Sequence, residues 1–331
     1  MRTFALVLLL AAAPAARADV TVKLGTLAPE GSSFHNRLKE MGQKWRDASG
    51  GAVKLHIYPA GVAGNEGDMV RKMRVGQLSA GAFTAAGLHE ILPAAQGPAI
   101  PQLIGGYDEL DWAMQTLGPQ LEKGFDEKGF VVLNWAEAGT AYFFTRRPAA
   151  SPADMKGQKL FAWAGDPKAV DAIKLAGFEP VVVSATDMLP SLQTKLLDAF
   201  NATPLSVLAL RWYDSIHNMT DFKWSLLTGA TVITKAEWDK IPADLRPKLL
   251  QISREIGRAV ELDVRSEEAN AIAEMKKRGM NVVAVSPAQA AEWRAAGEKA
   301  FPIIRGGVVP AEAFDEVKHL HEEWQKQHPL K

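Results

Sequence analysis

The sequence predicts an α/β fold, and three observations support this prediction. Segments that alternate apolar and polar residues are interleaved with segments whose apolar residues recur at helical spacing. The stretch Pro242–Gly279 keeps helical spacing throughout, which is long for a helix in a globular domain. The chain has 331 residues, 47% of them hydrophobic, which is enough for two domains.

The first part of the chain predicts a β-α-β-α-β order. Its helices are marked by spacing, as in Phe34, Leu38, Met41 and Trp45, and Gly50 with Gly51 ends the first of them. This order implies a parallel-type sheet covered by helices. The predicted elements are a strand over Val20–Gly25, a helix over Ser33–Ser49, a strand over Val53–Tyr58, a helix over Glu66–Val75 and a strand over Gly81–Thr84.

The rest of the chain continues the alternation. Predicted helices cover Tyr107–Lys128, Asp166–Ala176, Met188–Leu196, Pro242–Gly279, Pro287–Phe301 and, with an amphipathic pattern, Ala311–Gln327. Predicted strands cover Phe130–Glu137, Tyr142–Thr145, Glu179–Val183, Ala199–Asn201 and Val282–Val285. Pro247 lies close enough to the start of the long helix to fit in its first turn.

The N-terminus has the pattern of a secretory signal peptide over residues 1–18. Arg2 precedes the apolar run Phe4–Ala13, and Ala16-Arg17-Ala18 is a small-x-small cleavage signal. The apolar run is too short for a permanent membrane span, and no later segment is apolar enough for one. We expect a soluble mature protein that begins near Asp19.

Composition and motifs exclude several classes of function. The 38 basic and 38 acidic residues balance, so the chain has no electrostatic footprint for nucleic acid or anionic lipid. The chain has no cysteine, and its core alone must hold it together in an oxidising compartment. It contains no Gly-x-Ser-x-Gly elbow, no phosphate-binding glycine loop and no His-Glu-x-x-His. We therefore expect no catalytic site, no cofactor and no metal.

Four stretches of the mature chain, in order, carry a family resemblance: Lys23–His35, Val53–Gly61 with Arg71–Gly81, Arg147–Leu160, and Leu189–Asn201. Together they resemble the DctP-type solute-binding proteins of TRAP (tripartite ATP-independent periplasmic) transporters, over nearly all of the mature region. The resemblance implies a periplasmic protein of two lobes, similar to the type II binding proteins, with a long helix spanning both lobes. It would close around a small solute and deliver it to the membrane permease subunits.

The resemblance also implies a division of the chain. We expect lobe I to comprise residues 19–144 and 226–250, and lobe II to comprise residues 145–225 and 280–331. The long connecting helix is expected over residues 243–279.

Two positions depart from the family pattern. Ala141 and Phe161 stand where the family usually carries arginine, and the second of those arginines clamps the ligand's carboxylate. Burying a carboxylate without a cation is costly, whereas apolar ligand surface gains about 25 cal/mol per Å² on burial. The departure predicts a hydrophobic or amphipathic ligand. It also resembles a divergent TRAP branch that is associated with a tetratricopeptide-repeat partner protein.

Mapping the family pattern onto this chain gives the candidate ligand-binding residues, most of them apolar or aromatic. They are Leu27, Pro29, Phe83, Thr84, Trp135, Ala141, Tyr142, Phe143, Phe161, Trp163, Asn201, Arg211, Trp212 and Tyr213. Trp163 should share a face with Phe161 if both lie on one strand.

Two alternatives remain open. The ligand is a small organic acid if another arginine supplies the charge, with Arg211 the first candidate and Arg71, Arg74, Arg146 and Arg147 behind it. The other alternative is a periplasmic sensor or interaction protein that uses the same fold.

Overall fold

The computed structural model describes residues 19–163 and 167–328, so the predicted signal peptide lies outside the described residues. The strands are β1 (Val20–Thr26), β2 (Val53–Tyr58), β3 (Ala80–Thr84), β4 (Phe130–Thr145), β5 (Lys159–Trp163), β6 (Glu179–Val183), β7 (Ala199–Ala202), β8 (Asn218–Thr220), β9 (Ser225–Thr234) and β10 (Asn281–Val283).

The helices lie between these strands in the sequence and, at the end of the chain, after the last of them. They are α1 (Ser33–Ala48), α2 (Glu66–Arg74), α3 (Ala85–His89), α4 (Tyr107–Glu127), α5 (Pro167–Leu175), α6 (Met188–Gln193), α7 (Pro204–Ala209), α8 (Lys235–Trp238), α9 (Arg246–Lys277), α10 (Pro287–Glu298), α11 (Phe301–Ile303) and α12 (Ala311–Gln327). Short 3₁₀ turns lie at Pro93–Ala99, Pro152–Met155, Ala185–Asp187 and Trp212–Asp214, and a π turn at Ile304–Val308.

The whole sheet is mixed, and the parallel arrangement predicted from the first part of the chain is confirmed for β1, β2 and β3. Hydrogen-bonded strands follow the order β2-β1-β3-β9-β4-β7-β5-β6, and β8 joins β4 to β10. β1 is parallel to β2 and β3, whereas β9 is antiparallel to both β3 and β4. The strand that returns from the second half of the chain therefore enters the first sheet in the opposite direction.

Strand β4 is a single long strand where the sequence predicts two. Its first part pairs with β9 and its last part with β7 and β8, so it belongs to both halves of the sheet. The register with β9 shifts between Glu137 and Gly139. Gly139 has φ +114°, a conformation that other residues rarely adopt, and this explains the irregularity there.

The predicted long helix is α9, which begins a few residues later than expected and keeps Pro247 in its first turn. Near its start, Leu249 packs in a core with Trp45 and Val22. Near its end, Met275 packs in a different core with Tyr142 and Phe161. The helix thus spans the molecule, as predicted, and the α/β fold class is confirmed.

The last helix, α12, packs against elements of the first half of the chain. His321 Nδ1 lies 2.7 Å from Glu109 Oε1 on α4, and Val317 packs beside Gly97. The π turn before α12 lies against α5 instead. We therefore propose that residues 311–327 belong with lobe I, although the resemblance places them in lobe II.

Within residues 19–163 and 167–328, every helix falls short of the combined length and apolar character of a membrane span.

Candidate functional site

Tyr142, Phe161 and Tyr213 are brought together by the fold into one buried cluster. Tyr142 lies on β4, Phe161 on β5 and Tyr213 in the turn after α7, and Trp212 packs against the same cluster. The cluster forms one face of the sheet that β4, β7 and β5 share. Four of the sequence-predicted residues therefore meet, although they come from three separate segments.

The end of β5 presents Phe161 and Trp163 on the same side, as strand alternation requires. Their ring centroids are 5.3 Å apart and the rings meet edge to face. Phe161 is 5% exposed and Trp163 is 37% exposed, so the second ring lies between the buried cluster and solvent.

The turn after α7 separates its aromatic residues from Arg211. The Trp212 ring lies 5.2 Å from that of Phe200, edge to face, and the Tyr213 hydroxyl accepts a hydrogen bond from Arg278 Nη1 at 2.9 Å. The Arg211 side chain is 72% exposed and pairs with Asp214 at 3.0 Å. Arg211 is thus a surface residue in this conformation.

Ala141 and Phe143 are buried, and Phe143 points away from the cluster of Tyr142. Its ring is 4.8 Å from Trp293, 4.9 Å from Trp224 and 5.5 Å from Phe178. Asn201, half-buried on β7, is directly opposite Phe143. Phe143 completes an aromatic core, and we leave it out of the ligand contacts proposed below.

On the other side of the molecule, Leu27 and Pro29 follow the end of β1, and Phe83 and Thr84 are the last two residues of β3. Leu27 and Pro29 are half-buried, and Phe83 is buried. The Phe83 ring lies directly over Gly81, where an added Cβ would be 2.1 Å from it. Only the missing side chain of Gly81 allows this ring position.

Thr84 is held by Glu66, the first residue of α2, a position where an acid is ordinary. Thr84 donates its backbone N–H to Glu66 Oε1 and its hydroxyl to Oε2, both at 2.7 Å. Glu66 is only 4% exposed. Burial raises the pKa of Glu66 to about 7, against the opposing effect of hydrogen bonds from Thr84 and the Gly87 backbone. Asp68, by contrast, is the expected helix-start acid, in a capping box with Asn65.

The buried carboxyl of Glu66 predicts a pH-dependent stability. The unfolded chain returns this group to water and a pKa near 4.5, so the folded protein holds the extra proton between pH 4.5 and about 7. The free energy of unfolding should therefore fall as pH rises through that window, by up to about 3 kcal/mol. Urea unfolding at pH 5 and pH 8 measures this loss, and Glu66→Gln should reduce it. Equal pH dependence in both proteins would contradict the assignment.

The two sides of the molecule touch above Leu27. A Cβ added to Gly61, in the loop after β2, would lie 3.0 Å from Thr186 Cγ2 and 3.2 Å from Leu27 Cδ2. Gly61 comes from the segment predicted for lobe I and Thr186 from that predicted for lobe II. The residues that follow β1 and β2 therefore meet the turn before α6 across the predicted cleft.

Trp135 lies outside the cluster of Tyr142. It lines a cavity of about 370 Å³ between α4, β4 and α9, together with Leu110, Met114 and Arg258. Trp135 and Phe83 lie in one row of the sheet, since both pair with Ala230 of β9. A second cavity, of about 460 Å³, lies between α1 and β2 and includes Lys39 and Arg46.

The other arginines considered from the sequence each have a partner in the structure. Arg71 pairs with Asp68, and Arg74 donates to the Glu90 carbonyl at 2.6 Å. Arg147 donates to the Lys156 carbonyl at 2.7 Å. Arg146 pairs with Asp198 at 3.2 Å and also donates to the carbonyls of two residues of the Phe161 cluster, Leu192 at 3.0 Å and Leu197 at 3.3 Å.

Carboxylates and histidines do not converge on a cation position. In the described parts of the chain, no three His, Asp or Glu side chains are arranged to hold a metal ion.

Comparisons with known proteins agree with this architecture. The family model for bacterial extracellular solute-binding proteins of family 7, DctP, matches residues 24–303. The sialic acid-binding periplasmic protein SiaP of Vibrio cholerae is 24% identical over 283 residues, covering 83% of this chain and 86% of the relative. The 2,3-diketo-L-gulonate-binding periplasmic protein YiaO of Escherichia coli is 24% identical, with 80% of each chain covered.

A solved structure shows the same fold. The TRAP periplasmic solute-binding protein of Xanthobacter autotrophicus Py2, with bound β-D-galacturonate, matches with a TM-score of 0.84 at 17% identity, over 91% of this chain and 99% of that one. Together with the family match over most of the chain, this confirms the family resemblance found in the sequence. The chain belongs to the DctP family, the periplasmic solute-binding proteins of TRAP transporters.

Proposed function

We propose that this protein binds an organic acid with an apolar body and presents it to a TRAP permease by closure of two lobes. The acid group of the ligand is inferred from similar proteins, whose names and bound ligands include sialic acid, 2,3-diketo-L-gulonate and β-D-galacturonate. The apolar body of the ligand is inferred from Phe161. This residue stands where the family usually has arginine, and its buried ring contacts that of Trp163.

The proposed pocket lies between the Phe161 cluster and the loops of Leu27 and Thr84. Contact between Gly61 and Thr186 closes this space on one side, and Trp163 is the partly exposed ring at its edge. Apolar ligand surface buried against these rings contributes about 25 cal/mol per Å². The Thr84 hydroxyl already donates to Glu66, and Asn201 shares the face of Phe143, so we expect the carboxylate to lie at the partly exposed edge beside Trp163, where water can solvate it.

This proposal narrows the ligand class expected from the sequence, which was hydrophobic or amphipathic, to amphipathic acids. A ligand without any acid group remains the second candidate, favoured by the lack of arginine at positions 141 and 161. The two candidates differ in whether binding requires a carboxylate. That difference can be measured directly with matched pairs of molecules.

A thermal-shift and calorimetry panel tests the proposal. Phenylacetate and octanoate represent amphipathic acids, phenylacetamide and octanamide their neutral counterparts, and succinate and galacturonate hydrophilic acids. A ligand at 100 times its Kd stabilises the folded protein by about 2.7 kcal/mol. We expect the amphipathic acids to stabilise most. Equal effects of acids and amides would favour the neutral hydrophobic ligand, and stabilisation by hydrophilic acids alone would contradict the apolar pocket.

The tetratricopeptide-repeat partner stays a separate prediction, based on the apolar positions 141 and 161. Copurification of the protein from its native periplasm, followed by mass spectrometry of associated chains, tests it.

A further inference from the structure

Strand β4 crosses from one half of the sheet to the other within a short segment. The register with β9 shifts between Glu137 and Gly139, and pairing with β7 begins at Tyr142. Thr203 and Val264 leave only contact distance, 3.4 Å, for a side chain at Gly139. A change in the angle between the two halves therefore acts on this segment of β4 as well as on α9, which packs in the cores of both halves.

The carboxylate of Glu268, on α9, accepts hydrogen bonds from three groups at this crossing of β4. Glu268 Oε2 accepts from the Tyr107 hydroxyl at 2.6 Å and from the Thr140 backbone N–H at 3.0 Å. Its Oε1 accepts from the Tyr142 hydroxyl at 3.1 Å. Burial, and then the Glu268 carboxylate, raises the pKa of both tyrosines, so both hydroxyls remain donors at neutral pH.

One turn earlier on α9, Arg265 holds the other side of the crossing. It donates to Glu137 at 3.0 Å and to Asp111 of α4 at 2.8 Å, and its guanidinium lies 4.7 Å from the centre of the Tyr107 ring. Arg265 therefore fixes β4 before the irregularity, and Glu268 fixes it after. Both act from the same helix, which also packs into the cores of both halves.

We infer that Glu268 is a positioning residue for ligand binding, acting through Tyr142. The inference rests on the proposed function, because Tyr142 belongs to the cluster of Phe161 that forms one wall of the proposed pocket. Glu268 holds the Tyr142 ring in that wall and couples it to α9 and α4. Ligand contact with the wall is thereby linked to the angle between the lobes.

A double-mutant cycle tests the coupling. Glu268→Gln keeps the shape but replaces one acceptor with a donor, and Tyr142→Phe removes only the hydroxyl. Each is expected to raise the Kd of phenylacetate about fivefold, the value of one ordinary hydrogen bond. The double variant should be no weaker than Glu268→Gln alone. Glu267→Gln makes the same charge change next to it and should leave the Kd unaltered. Additive effects, or a wild-type Kd in Glu268→Gln, would overturn the inference.

A second measurement does not depend on ligand identity. The chain has no cysteine, so Val75→Cys and Leu175→Cys, both at exposed positions on opposite sides of the crossing, accept spin labels selectively. Pulsed electron paramagnetic resonance measures the distance between the two labels in the ligand-free protein. The distance distribution should be broader or shifted in both Glu268→Gln and Tyr142→Phe, compared with Glu267→Gln. Identical distributions in all three would refute the coupling. If wild-type protein does not bind phenylacetate, the proposed ligand fails while this measurement still decides the role of Glu268.

Discussion

Replacing Phe161 with arginine is expected to destabilise the free protein and to convert its ligand preference. Phe161 is 5% exposed and packs with Tyr142, Trp163 and Tyr213. A guanidinium in that place is a buried charge without a partner, which costs about 3–5 kcal/mol. The carboxylate of an acid ligand would supply the missing partner. In the family pattern, the arginine usually found at this position pairs with the ligand in the same way.

The measurement for Phe161→Arg is thermal unfolding with and without galacturonate, next to calorimetry with phenylacetate and with galacturonate. We expect the melting temperature to fall in the free variant and to be restored by galacturonate. Phenylacetate has a carboxylate too, so the expected change is in the preference for phenylacetate over galacturonate, which should fall more than tenfold, about 1.4 kcal/mol or more. Phe161→Leu, which keeps the site apolar, should retain that preference and gain nothing from galacturonate. If Phe161→Arg keeps the wild-type preference, Phe161 does not line the pocket.

Periodicity was sufficient to predict the elements that bury one face over several turns. Helices α1, α4 and α9 have apolar residues at helical spacing, and the structure places them close to the predicted bounds. Short elements such as α7 and β8 lack enough residues for a period to appear. The start of α7 did carry a local signal, because Thr203 caps it and Pro204 fills its first turn.

Sheet direction was harder to predict than element type. The apolar and β-branched residues of β9 are typical of a strand, but whether it enters the sheet parallel or antiparallel depends on where the distant segment returns. The continuity of β4 was hidden for a related reason. Gly139 separates two apolar stretches and suggests a break, whereas its left-handed conformation in fact lets one strand continue with an irregularity.

The candidate site residues also differ in whether local pattern or only the tertiary fold determines their surroundings. Phe161 and Trp163 were predictable as neighbours because strand alternation is local. Glu66 was missed, since at the first position of a helix an acid is ordinary, and only the tertiary fold shows that this one is buried against Thr84. Arg211 has a left-handed backbone, φ +57°, and points to Asp214, which no sequence pattern indicated.

The contact between α9 and β4 leads to the second large effect, that of Gly257→Ala. Helix propensity alone would make alanine more stable here by about 1 kcal/mol. The structure opposes this, because a Cβ at Gly257 would lie 2.5 Å from the Trp135 carbonyl oxygen and 2.7 Å from Asn134 Cβ. The nearest of these atoms is backbone in the sheet, so a side-chain rotation cannot relieve the overlap.

We therefore expect Gly257→Ala to lower the free energy of unfolding by about 2 kcal/mol, because overpacking outweighs the gain in propensity. Urea unfolding measures it, and Gly67→Ala in α2 is the matched control, since its nearest neighbour would be 3.4 Å away. The control should be as stable as wild type or more stable, by up to about 1 kcal/mol. Equal stability of the two variants would mean that α9 does not approach β4 as closely as described. The coupling through Arg265 and Glu268 would then lose its geometric basis, because both residues reach the crossing of β4 only from a helix held at this distance.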